Sequence, residues 1–165
     1  MDRQQKLILA AVSVLLLLAL TVTVLLLLPE KQEFSPPPHD PAALPGEPSL
    51  SDEPSRLYGQ IPVAEGFTVG ACGNAFYKDG TLEVYFSSHA SSTVLTRIKV
   101  YDESDTLLGE SGLVYPGEYL PTVALSSPPS GEKLKLRVLS FEKDTYYSMG
   151  SAEFFISWTD MSTTK

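Results

Sequence analysis

The stretch 81-TLEVYFSSHASSTVLTRIKVY-101 decides the fold. Leu82, Val84 and Phe86 alternate with Glu83, Tyr85 and Ser87, then Val94, Ile98 and Val100 alternate with Arg97, Lys99 and Tyr101. A period of two, with one apolar and one polar side, is the pattern of a half-buried strand. Working outward, KLKLRVLSFE (133–142) repeats it, with Leu134, Leu136 and Val138 inward and Lys133, Lys135 and Arg137 outward. AEFFISW (152–158) adds another run and places Trp158 in the core, while QIPV, FTVGAC, TLLGESGLV and YLPTVAL are weaker candidates. EKDTYYSMGS (142–151) reads as a connection.

Turn chemistry separates these runs at KDGT (78–81), DESD (102–105), YPGE (115–118) and SPPSGE (127–132). Pro116 offers the fixed φ of the second position of a type II turn and Gly117 the positive φ of the third, so YPGE is expected to be scaffold, with the Glu118 side chain exposed. Seven or eight short strands without a convincing amphipathic helix predict an all-β domain, a single antiparallel β-sandwich over 57–165.

The chain ahead of that domain has a different character. Residues 7–28 are 22 consecutive uncharged positions interrupted only by Ser13, Thr21 and Thr23. That is enough helix to cross about 30 Å of hydrocarbon. Arg3 and Lys6 precede the run and Lys31 follows beside Glu30 and Glu33, a bias that puts the N-terminus in the cytoplasm and the rest outside the cell. The run ends in four leucines and a proline rather than a small-residue cleavage site, so a retained signal anchor is expected over a cleaved signal. Residues 29–56, with eight of the 13 prolines between Pro29 and Pro54, read as a disordered Pro-rich stalk. The resulting layout is a cytoplasmic tail at 1–6, a single-pass anchor in the bilayer at 7–28, a stalk at 29–56 and an extracellular domain at 57–165.

Four segments, YGQIPVAEGF (58–67), LEVYFSSHASSTVLTRIKVYD (82–102), LLGESGLVYPGEYLPTVAL (107–125) and GEKLKLRVLSFEKDT (131–145), together resemble a group of small, uncharacterised, membrane-anchored extracellular proteins of Gram-positive bacteria. The resemblance implies an Ig-like sandwich behind an N-terminal membrane segment, in a bacterial envelope. The second segment of that group carries an Asn-Pro pair and a further Asn where this chain has Ser88, His89 and Ser92. No activity comes with the resemblance.

Composition narrows the chemistry. A net charge of -8 argues against a nucleic-acid partner, which needs a Lys/Arg surface. Cys72 is the only cysteine, so no intrachain disulfide forms. Neither a nucleophile-base pair nor a zinc-ligand spacing stands out, so no enzyme activity, cofactor or metal is expected. Asp102, Glu103 and Asp105 in the DESD turn read as a solvated turn rather than a calcium site. What remains is a non-enzymatic interaction module for a protein partner at the cell surface. The alternative is carbohydrate or cell-wall binding through surface tyrosines, with Tyr85, Tyr101, Tyr119, Tyr146 and Tyr147 as candidate binding residues.

Overall fold

The computed structural model describes residues 2–27, 35–50 and 54–162, without the side chains of residues 6–11, 22 and 24–27. It divides into two units, Met1–Ser35 and Pro36–Lys165. The first holds α1 (Arg3–Leu27). Along it, the Thr21 hydroxyl donates to the Leu17 and Leu18 carbonyls and the Thr23 hydroxyl to the Ala19 carbonyl, so these polar groups are satisfied inside their own helix. Among the described residues no helix is long and apolar enough to cross a membrane. The span expected at 7–28 lies partly outside those residues.

The second unit is built from β1 (Leu44–Pro45), β2 (Tyr58–Ala64), β3 (Phe67–Cys72), β4 (Asn74–Lys78), β5 (Thr81–Ser88), β6 (Leu95–Tyr101), β7 (Leu107–Glu110), β8 (Glu118–Ala124), β9 (Lys133–Phe141) and β10 (Ser148–Asp160). They form one curled sheet in the order β1-β8-β5-β4-β10-β9-β6-β7, with β3 also bonded to β5 and β2 to β3. Alternation fixes which side faces in: Leu82, Val84, Phe86, Ile98, Val100, Leu134, Leu136 and Val138 are all fully buried in one core. Each such side chain contributes about 1.5–3 kcal/mol of transfer free energy. Trp158 packs on the rim of that core and donates its indole N–H to the Gly131 carbonyl at 3.1 Å.

Three expectations change. The pairing is not purely antiparallel, because β10 runs parallel to β4 through Ser157↔Asn74 to Asp160↔Tyr77. A parallel pair requires a long crossover, and here β5 to β9 intervene between its strands. The connection at 142–151 is shorter than expected, since β10 already starts at Ser148.

The third change concerns the stalk. The sheet unit begins at Pro36 rather than at residue 57, so residues 36–50 belong to it; residues 29–34 and 51–53 lie outside the described residues. Prolines lack a donor but keep a carbonyl, and a strand edge uses the carbonyl alone. Leu113 N–H donates to the Pro38 carbonyl at 2.8 Å, and Asp40 N–H returns to the Leu113 carbonyl at 2.9 Å. The buried Asp40 carboxylate then accepts from Gly112 N–H at 2.7 Å and Ala42 N–H at 2.9 Å. Leu44 and Pro45 finish the strap by pairing with Tyr119 and Glu118 of β8.

The turns behave as their residues dictate. Asp79 and Gly80, both at positive φ, make the two-residue β4–β5 hairpin. At YPGE, Gly117 has φ +81° and Glu118 N–H donates to the Tyr115 carbonyl at 3.0 Å. Tyr85 sits at φ +46° where the β5–β8 register shifts, a bulge that bends β5 and helps the sheet curl.

Candidate functional site

β3 and β4 are nearly one strand, broken at Gly73, and that break creates the site. Below it, β4 pairs with β10; above it, β3 leaves β10 and follows β5 through Val69↔Ser88 and Gly70↔Ser87. Among the described residues the upper part of β10, Ser148–Ile156, therefore has β9 on one side and no strand on the other. β2 returns along β3 and is itself an edge. Tyr58 fixes β2 in place: its hydroxyl shares a 2.6 Å hydrogen bond with Ser87 directly over Gly70, where a Cβ would collide with both. Burial pushes the Tyr58 hydroxyl up from its ordinary pKa, with the Ser87 bond opposing it.

Between these two edges lies an apolar groove of about 180 Å³. Leu57, Gln60 and Ile61 line one wall, Phe154 and Phe155 the other, and the buried Cys72 contributes to the lining between them. Leu57 is 70%, Phe155 65% and Ile61 39% exposed, so large apolar side chains face solvent on both walls. Isolated exposed apolar residues are ordinary; here three of them flank one groove between two strand edges.

The five tyrosines expected as binding residues do not form one surface. Tyr85 lies under the Arg56 guanidinium at 4.9 Å, and that arginine is also paired with Glu83 at 2.7 Å. Tyr101 is covered by Lys135 at 5.2 Å and Arg137 at 4.9 Å. Tyr119 is half-buried opposite Leu44 of the strap. Tyr146 and Tyr147 sit in the β9–β10 connection, Tyr147 exposed and Tyr146 held at φ +57°. The ring pairs among the described residues are His39 with Tyr115 and Tyr77 with Trp158, neither of which joins two of the five.

Tyr146 does line a second, open cleft of about 460 Å³ with Ala90, Leu95, Tyr115, Pro116 and Lys143. It lies where the β5–β6, β7–β8 and β9–β10 connections meet, so the YPGE turn contributes to a concavity as well as to the scaffold. Glu118 is not the free side chain expected there. Its carboxylate accepts from Tyr115 N–H at 2.9 Å and meets His39 Nε2 at 2.9 Å.

The DESD acids are each engaged separately. Asp102 accepts from Thr106 N–H, from Ser104 N–H and hydroxyl, and from the Ser130 hydroxyl. Those bonds, the Thr106 amide foremost, hold its carboxyl below the usual carboxylate range. Glu103 caps Glu132 and Lys133 N–H, and Asp105 pairs with Lys135. Among the described residues no group of three or more His, Cys, Asp or Glu side chains is placed to hold a metal ion.

Leu57, Ile61 and Phe155 do not stand out in the sequence, because Ile61 and Phe155 lie in ordinary strand-like runs and Leu57 just ahead of one. The available signal was Phe154-Phe155, two adjacent aromatics in an alternating strand, of which one must face outward. No protein-family model matches this chain, and no curated protein matches it.

Proposed function

We propose that this chain is a non-enzymatic, membrane-tethered module that binds a protein partner at the bacterial cell surface through the groove between β2 and β10. The observation that carries this is two open strand edges flanking apolar side chains, an arrangement suited to polypeptide rather than to sugar. The domain would be an Ig-like sandwich, a reading supported by the parallel pairing of β4 and β10 and by one core shared between the halves of the curled sheet. The anchor is residues 7–28, inserted with the N-terminus cytoplasmic, and it is supported by the uncharged run and by the internally bonded Thr21 and Thr23 hydroxyls. Tethering raises the local concentration of the module near other membrane-bound proteins.

A photo-crosslinking residue at Ile61, on the groove wall, or at Asp79, in the β4–β5 hairpin, tests the assignment in living cells. A discrete crosslinked product from position 61 and none from position 79 is expected. The same products from both, or none from position 61, overturn the groove as the binding site. Protease added to wall-stripped cells should release the sheet unit by cutting among residues 28–35. Full protection overturns the outside placement.

Carbohydrate binding is the second reading, and the loop-end cleft with Tyr115 and Tyr146 is what favours it. Retention of the protein by isolated cell-wall glycan, lost in Tyr146→Ala, would move the site there.

A further inference from the structure

We propose that the groove receives an extended, uncharged segment of the partner as an added β-strand on the open edge of β10; this rests on the protein-binding reading above and specifies its chemistry. The hydrogen-bonding groups are placed by strand alternation. Ser157 N–H donates across the edge to the Gly73 carbonyl at 2.9 Å, and the β10–β9 register is unbroken from Gly150 to Ser157. Since successive residues point their main-chain groups to opposite sides, Phe155, Glu153 and Ser151 direct N–H and C=O toward the open side, while Ala152, Phe154 and Ile156 direct theirs to β9. A strand continuing the line of β4 would meet a ready ladder.

The occupant follows from charge and width. None of the ten residues lining the groove is Asp, Glu, Lys or Arg, in a chain with 20 acids and 12 bases. The one charge in Ser148–Ile156 is Glu153, whose carboxylate is held by Arg137 at 2.5 Å. A charged segment would lose hydration there without gaining a partner, whereas a neutral segment with apolar residues at alternate positions matches Ile61 and Phe155. A second copy of the domain is the wrong shape, because β2 stands opposite β10 and a folded domain would meet β2 before it reached the β10 edge. A stable folded-domain interface takes about 20–30 residues on each side, and ten line this groove.

The test uses the full chain in detergent micelles and, as probe, a capped neutral peptide of about seven residues with valine at alternate positions and serine or threonine between. Amide hydrogen exchange at Ser151, Glu153 and Phe155 should slow about tenfold or more at millimolar peptide, with Ala152, Phe154 and Ile156 unchanged. The same peptide N-methylated at alternate amides should give no slowing. Ser151→Pro removes one open-side N–H without touching the β9 ladder and should abolish the effect. Phe155→Lys, which charges the exposed wall, is the companion variant should the proline disturb folding. Absence of slowing, or equal slowing with the N-methylated peptide, overturns strand addition. If crosslinking from position 61 persists in that case, the groove binds protein through side chains alone; if crosslinking is also absent, both proposals fall.

Discussion

Two edges of the same sheet are treated in opposite ways. At β8 the chain lays its own Pro-rich strap along the edge, pairing Leu44 and Pro45 with Tyr119 and Glu118 and tying the strap down through Asp40 and Gly112. At β10 the strand that could cover the edge turns away at Gly73, and no other described strand pairs with Ser148–Ile156 on that side. Uncovered edges invite pairing with other chains, and proteins ordinarily blunt them with proline, charge or cover. β2 carries Pro62, but the open stretch of β10 has no proline and only one, already paired, charge. The proposed strand addition uses the one of these two edges that the chain does not cover with its own strap.

Lifting the strap should produce the largest effect. A Cβ at Gly112 would lie 2.8 Å from the Asp40 N and Cα and from the Pro38 carbonyl oxygen, all main chain, so Gly112→Val forces the strap off. The Pro38–Leu113 and Asp40–Leu113 bonds and the Asp40 cap would go with it, and a loss of about 3 kcal/mol is expected in urea unfolding. New proteolytic cleavage between Pro36 and Leu50 should accompany it. An unchanged midpoint with no new cleavage would return residues 36–50 to the status of a stalk.

The YPGE turn, next to the strap, should respond less strongly. Gly117→Val places a β-branched residue at φ +81°, costing about 1–3 kcal/mol. Glu118→Ala removes the acceptor of Tyr115 N–H and the His39 partner, for which about 1 kcal/mol is expected. A neutral Glu118→Ala would mean that the carboxylate does nothing for the turn or the strap.

The core was legible because burial on one side of a strand leaves a period of two, and Leu82 to Phe86 and Leu134 to Val138 carry it without interruption. Gly117 was legible because only one turn type suits Pro-Gly. The strap was not, because a Pro-rich composition reports what a segment cannot donate and says nothing of carbonyls it can offer to an edge. The role of Glu118 was hidden for a related reason, since its partner His39 lies 79 residues away in that same strap. The groove was illegible because an edge is a property of sheet order: Phe155 has the same local pattern whether or not a strand stands beside it. The outward tyrosines show the complementary limit, as alternation placed Tyr85 and Tyr101 on outer faces but could not reveal that Arg56, Lys135 and Arg137 already cover them.

The smallest stability change should come from the bare edge itself. Phe155 is 65% exposed, so Phe155→Ser removes little buried surface and should shift unfolding by about 0.5 kcal/mol or less. The same substitution removes the exposed phenyl ring of the groove wall, so crosslinking from position 61 should fall severalfold while the melt stays in place. Side chains that pack the core do the reverse: Val138→Ala, in the fully buried row of β9, should cost about 2 kcal/mol and leave capture intact at temperatures below its melt. A stability loss at Phe155→Ser comparable to that of Val138→Ala would show that the aromatic closes the fold rather than facing a partner, and the contrast between the two edges would then collapse.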